Sequence, residues 1–125
     1  MRFWDGRINR TTYWAAFAAA VGVITGVRLL GFDSRMFELL LGIICIPRMH
    51  DMGWSGRWIL LPLAVLFGGS IWAGASASSP EQVLIGAYTV TAMVFALMIW
   101  LGCLKGQPDW NEYGNPPPDG ISFRQ

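Results

Sequence analysis

The sequence predicts an all-α integral membrane protein with four transmembrane helices and both termini cytoplasmic. The first observation is two long uncharged runs, 23 residues from Trp58 to Pro80 and 22 from Val83 to Leu104. Crossing roughly 30 Å of hydrocarbon takes about 20 apolar residues, with each backbone polar group bonded inside its own helix. The second is composition: 54% of the 125 residues are hydrophobic, 14% are charged and the mean hydropathy is +0.42. That leaves too little polar surface for a water-soluble domain of this size. The third is the uneven placement of the basic residues around the apolar runs.

Met1 to Arg10 forms an amphipathic leader in which Phe3, Trp4 and Ile8 alternate with Arg2, Asp5, Arg7 and Arg10, a pattern suited to the membrane surface. The first span covers about 11–30, with Thr11 or Thr12 as its cap, Tyr13 and Trp14 as interfacial anchors and Gly31 as its stop. Ala18-Ala19-Ala20 following Arg7 and Arg10 invites a reading as a cleaved secretory core. The apolar stretch continues through Leu29, Leu30 and Phe32, so it is read as a retained span.

A tight turn over Phe32 to Arg35 leads to a second span, about 34–52. Its uncharged part, Leu39 to Pro47, is only nine residues, so Arg48, His50 and Asp51 are expected to reach the interface beyond a kink at Pro47. Gly53-Trp54-Ser55-Gly56 breaks the chain before a third span over about 57–74. A Ser/Ala loop follows, and Pro80 suits the first turn of the fourth span, about 81–104. Residues 1–106 thus form a four-helix transmembrane domain. Residues 107–125, rich in Pro, Gly, Asn and Asp, read as an irregular cytoplasmic tail without a core.

With four spans, one side carries Arg2, Arg7, Arg10, Arg48, Arg57, Lys105 and Arg124, and the other only Arg28 and Arg35. The positive-inside rule makes the first side cytoplasmic, and Trp14, Trp54, Trp58 and Trp100 fall near the same face. Cys45 and Cys103 lie near that reducing side and are expected as thiols. A net charge of +1 without a basic cluster gives no footprint for nucleic acid. The expected partners are the lipid bilayer and either a homo-oligomer or another membrane protein.

Three motifs stand at the cytoplasmic face. Gly6-Arg7-Ile8-Asn9-Arg10 precedes Tyr13-Trp14; Pro47-Arg48-Met49-His50-Asp51 runs into Gly53-Trp54-Ser55-Gly56-Arg57-Trp58; and Asn111-Glu112-Tyr113-Gly114-Asn115-Pro116 lies in the tail. In this order they resemble the signature of the YhaH-like family of small bacterial inner-membrane proteins, a domain of unknown function. Two positions depart from it: a single Arg48 follows Pro47 where the family shows two arginines, and Arg57 stands where an aromatic is usual. The resemblance implies a multi-pass inner-membrane protein and brings no catalytic residue, cofactor or solute.

Candidate chemistry concentrates in Arg7, Arg10, Arg48, His50, Asp51, Gly53, Ser55, Gly56, Asn111, Tyr113 and Gly114. His50 beside Asp51 has the composition of a proton-handling pair, but Asp51 three residues from Arg48 favours a structural ion pair on one helix face. Cys45, Met49, His50 and Met52 are soft donors whose spacing specifies no metal site. Arg28 and Glu38 could pair within the membrane to line a solute pathway, but Arg35, three residues before Glu38, and the snorkelling of Arg28 and Glu38 near helix ends favour an interfacial pair instead. Gly22-x-x-x-Gly26 and the neighbouring alanines give the first helix a face for close helix packing.

One histidine and no nucleophile motif argue against an enzyme, and no metal or cofactor is expected. The expectation is a non-enzymatic assembly or interaction module acting through its cytoplasmic face. The alternative is a small oligomeric channel or transporter lined by Ser70, Tyr88, Thr89 and Thr91.

Overall fold

A computed structural model describes residues 6–32 and 35–122, the stretch 35–40 by its backbone alone. The leader residues Phe3 and Trp4, the terminal Arg124 and the side chains of the Arg35–Glu38 pair lie outside the described residues. Four α-helices follow one another: α1 Arg10–Leu29, α2 Arg35–Asp51, α3 Leu60–Ser76 and α4 Pro80–Cys103. Among the described residues there is no β-strand, only an isolated bridge between Asn111 and Gly114. Arg10–Leu29, Gly56–Ser76 and Pro80–Cys103 are long and apolar enough to cross a membrane.

The helix ends follow from local chemistry. Asn9, rather than Thr11 or Thr12, caps α1: its side chain accepts from the Thr12 N–H at 2.8 Å, and this leaves the Thr12 hydroxyl for the tail. At the other end Gly31 takes φ +81°, its N–H reaching Arg28 O and that of Phe32 reaching Val27 O. That doubly bonded left-handed ending is open to glycine without steric cost. α2 ends the same way, with Gly53 at φ +73°, its N–H on His50 O and that of Trp54 on Met49 O.

The third α-helix starts at Leu60 rather than residue 57. Ser55 first caps a tighter 3-10 turn over Gly56–Ile59, which the helix then continues. Ser79 caps α4 by accepting from Gln82 N–H, and Pro80 occupies its first turn, where no N–H is missed.

Tyr13, Ala20 and Ile24 of α1, Leu41, Cys45 and Met49 of α2, and Met98 and Leu101 of α4 build the core, and Phe17 meets Phe95 edge-on at 6.0 Å. α3 packs chiefly on α4 through small residues: a methyl added at Gly86 would lie 2.6 Å from the Ala73 methyl. No described residue of α3 is buried, and Ile71 and Trp72 are 73% and 72% exposed. An apolar surface of that extent is incompatible with water and natural in lipid, which marks the chain as a membrane protein.

Candidate functional site: a buried Arg–Asp–Arg clasp

The C-terminal end of α2 poses a physical problem. The last carbonyls of a helix have no partner inside it, and α2 ends among buried groups where water does not bond them. The last two are taken up by distant segments. His50 O accepts from the Asn111 side-chain amide at 3.0 Å as well as from Gly53 N–H. Asp51 O accepts from Gln107 N–H at 2.8 Å and from Arg7 Nη2 at 3.4 Å. One turn earlier, Ile8 N–H donates to Pro47 O at 3.2 Å. The leader and the tail therefore meet at one helix end, whose negative dipole also favours the arginines.

The Asp51 carboxylate sits at the centre. Arg7 donates to Oδ1 from Nε at 3.2 Å and Nη2 at 3.1 Å, and Arg48, one turn back on the same helix, donates from Nη1 to Oδ2 at 2.5 Å. The remaining guanidinium N–H groups reach main-chain carbonyls. Arg7 binds Gln107 O, Asp109 O at 2.8 Å and Gly114 O at 3.1 Å; Arg48 binds Leu101 O, Ile8 O and Leu104 O.

Arg48 is 0% exposed, Arg7 2% and Asp51 3%. No buried side-chain nitrogen or oxygen among the described residues lacks a hydrogen-bond partner. That completeness is what permits two cations and one anion to be buried together.

Two expectations are thereby corrected. Arg48, His50 and Asp51 do not extend as exposed side chains; they turn inward, because the free carbonyls of α2 and the incoming segments offer charge and hydrogen bonds that lipid does not. The described part of the leader does not lie on the surface either. Arg7 and Ile8 are buried beneath the tail, with Arg10 exposed beyond them.

The tail is irregular but docked. Asn9 donates to Pro118 O and Gly120 O, and the Thr12 hydroxyl bonds Gly120 O and Ser122 N–H. Tyr113 stacks on His50 with ring centres 3.9 Å apart and planes 2° from parallel, while His50 Nδ1 lies 3.2 Å from Gly6 O. Partial burial, and after it the Glu112 carboxylate, push the Tyr113 phenol above its ordinary range, so the ring that stacks is neutral.

Nearly every candidate residue gathers here. Asn111 and Gly114 close the bridge that presents Tyr113, and Gly56 lies so near His50 that a methyl there would stand 3.0 Å from Nε2. Gly53 and Ser55 shape the turn, and Arg10 borders a polar hollow of about 280 Å³ next to Arg48 and Asp51. Of the soft donors, the Cys45 thiol donates to Leu41 O within its own helix and His50 stacks on Tyr113. No group of three or more His, Cys, Asp or Glu side chains that could hold a metal ion occurs among the described residues.

Sequence reasoning missed Gly106, against which Asp51 packs, and Gln107, which contributes its main chain. It also read Tyr13 as an interfacial anchor, whereas the Tyr13 hydroxyl is buried and donates to Met98 O at 2.8 Å.

The comparisons with known proteins cover most of this arrangement. The chain is 27% identical over 127 aligned positions, 91% of its own length and 85% of the relative's, to the "Uncharacterized protein YiiR" of Escherichia coli strain K12, and equally to that of strain O157:H7. No solved structure matches it. The family described as "Protein of unknown function (DUF805)" matches residues 2–115, a range that holds the first two motifs, the third as far as Asn115, and every residue of the clasp. The chain therefore belongs to the DUF805 family.

Proposed function

We infer that this DUF805 protein is a non-enzymatic, multi-pass protein of the bacterial inner membrane. In this reading its cytoplasmic face is a pre-assembled platform that binds another membrane component or a second copy of itself. The observation that carries it is the Asp51 carboxylate, which ties the leader, the end of α2 and the tail into one unit. Its polar atoms are all bonded to one another or to main-chain carbonyls, which suits a scaffold better than a catalyst. Within the family, the order of the three motifs supports a YhaH-like affiliation.

Four spans and cytoplasmic termini belong to the same reading. α2, at 17 residues, measures about 26 Å. It runs back along α1 until Pro47 meets Ile8, which supports its crossing what α1 crosses. Arg10, Arg57 and Lys105 stay exposed on the clasp side to carry the topological charge bias. An alkaline-phosphatase fusion at Gln125 should be inactive.

For self-association there is further support on α1. Gly22 and Gly26 have none of the described residues within 4 Å of an added methyl, which leaves that small-residue face available to another helix. The channel alternative gains less. Ser70, Thr89 and Thr91 each donate a hydroxyl to the carbonyl four residues back, at 2.6–2.8 Å, as such residues do when facing hydrocarbon.

The deciding experiment is affinity capture in mild detergent, paired with flux measurements in liposomes. A discrete oligomer or a specific membrane-protein partner supports the platform. A lone monomer that conducts an ion or solute overturns it.

A further inference from the structure

The tail is anchored to the clasp side of the molecule in two places. Arg7 and Asn111 hold it between Gln107 and Gly114, and Asn9 and Thr12 hold it again between Pro118 and Ser122. Between the anchors stand Pro116 and Pro117, which have no N–H to bring to the clasp, so the chain passes over it without bonding to it. The polar hollow of about 280 Å³ lies there, lined by both prolines, by the buried Arg48 and Asp51, and by the exposed Arg10 and Asp119.

The charges around it do not all find one another. Arg48 and Asp51 are bonded within the clasp, whereas among the described residues the side chains of Arg10 and Asp119 make no ion pair and no hydrogen bond, with each other or with a third group. Arg10 also stands near enough to Arg48 to be repelled by its like charge. Counted with Arg7, three guanidinium groups meet two carboxylates here, an excess of one positive charge. A small anion alone would meet Asp119, and a small cation alone would meet two arginines. A molecule that carries both signs complements both borders.

We propose that this hollow binds a phosphoethanolamine group, its phosphate at Arg10 and its primary ammonium at Asp119, as a phospholipid headgroup or a soluble ester would present it. The planar guanidinium fork of Arg10 matches phosphate oxygens, and an ammonium has N–H donors for the Asp119 carboxylate. The volume falls just below the roughly 300–1,000 Å³ of sites for drug-sized ligands, which suits a small polar group and not an acyl chain. The position agrees as well. Arg10 opens α1, a helix long and apolar enough to cross a membrane, so the hollow stands where an apolar span gives way to headgroups. The inference holds whichever side of the membrane the clasp faces, and with or without a protein partner.

The test is native mass spectrometry of the full chain in detergent, offered mixed phosphatidylethanolamine, phosphatidylglycerol and phosphatidylcholine, and separately free phosphoethanolamine. The wild-type chain should prefer phosphatidylethanolamine to both other lipids by roughly threefold, the scale of one exposed ion pair. Arg10→Gln should lower its retention roughly fivefold, the size of one basic side chain near a headgroup. Asp119→Asn should level phosphatidylethanolamine with phosphatidylglycerol. Both changes fall on exposed side chains without partners, so the unfolding midpoint should stay at the wild-type value. Retention of the lipid assigns the group to the bilayer, and retention of free phosphoethanolamine alone assigns it to a soluble ester. A wild-type chain that binds neither, or that shows no preference for phosphatidylethanolamine, overturns the proposal. So does a double-mutant cycle in which Arg10 and Asp119 stabilise the fold jointly, which would show that the two charges pair with each other.

Discussion

The backbone of Gly106 lies against the carboxylate of Asp51 so closely that a methyl group added there would stand 1.9 Å from Oδ2. No real contact is that short, and the neighbour is a carboxylate fixed by two guanidinium groups rather than the loose end of a flexible chain. Gly106→Ala should therefore displace the carboxylate and weaken the clasp by a few kcal/mol, on the order of breaking one buried ion pair. A lowered unfolding midpoint in detergent would register it. Gly74→Ala, where nothing lies within 4 Å, should leave the midpoint unchanged or slightly raised.

Removing different members of the clasp should cost different amounts. Asp51→Asn leaves Arg7 and Arg48 buried without a counter-charge and is expected to destabilise by about 3–5 kcal/mol. Arg48→Met should cost less, because Arg7 still neutralises the carboxylate from 3.1 Å. Chemical denaturation of both variants gives the order, and the reverse order would contradict the geometry.

The tail should loosen when its ring contact is removed. Tyr113→Ala abolishes the stack on His50, and Tyr113→Phe preserves it. At about 0.5–1.5 kcal/mol for such a pair, cleavage of the tail by an added protease should accelerate roughly two- to twelvefold in the alanine variant only. Timed proteolysis in detergent distinguishes the two.

Bulk on the open face of α1 should act between molecules rather than within one. At Gly22 and Gly26 an added methyl meets none of the described residues within 4 Å, so with Gly22→Ile and Gly26→Ile thermal stability should hold while cross-linked dimer falls severalfold. Unchanged dimer would place any self-association on another face.

Much of this fold was legible because the physics of the bilayer is one-dimensional. Uncharged runs declare helices, and Gly31, Gly53 and Pro80 declare where they stop or start. The motifs were legible as a cluster. Their joint burial was not, because a charge count treats each arginine as a surface cation, whereas Arg7 and Arg48 point inward. The docking of the tail was hidden for a different reason: Arg7 holds it by the carbonyls of Gln107, Asp109 and Gly114, and every residue has a carbonyl. Nor did the cap at Asn9 stand out beside Thr11 and Thr12, since all three residue types serve; the tail's claim on Thr12 separates them.

Arg7 reaches acceptors 100 to 107 positions further along the polypeptide. The ribosome delivers α1 and α2 long before it delivers those acceptors, so the arginine first meets only Asp51 and must wait for the rest of its ligation. Final locking is consequently among the last events of biogenesis. A nascent protein stalled after the fourth helix would hold all its helices yet remain unlatched, in the state a quality-control protease is best placed to recognise.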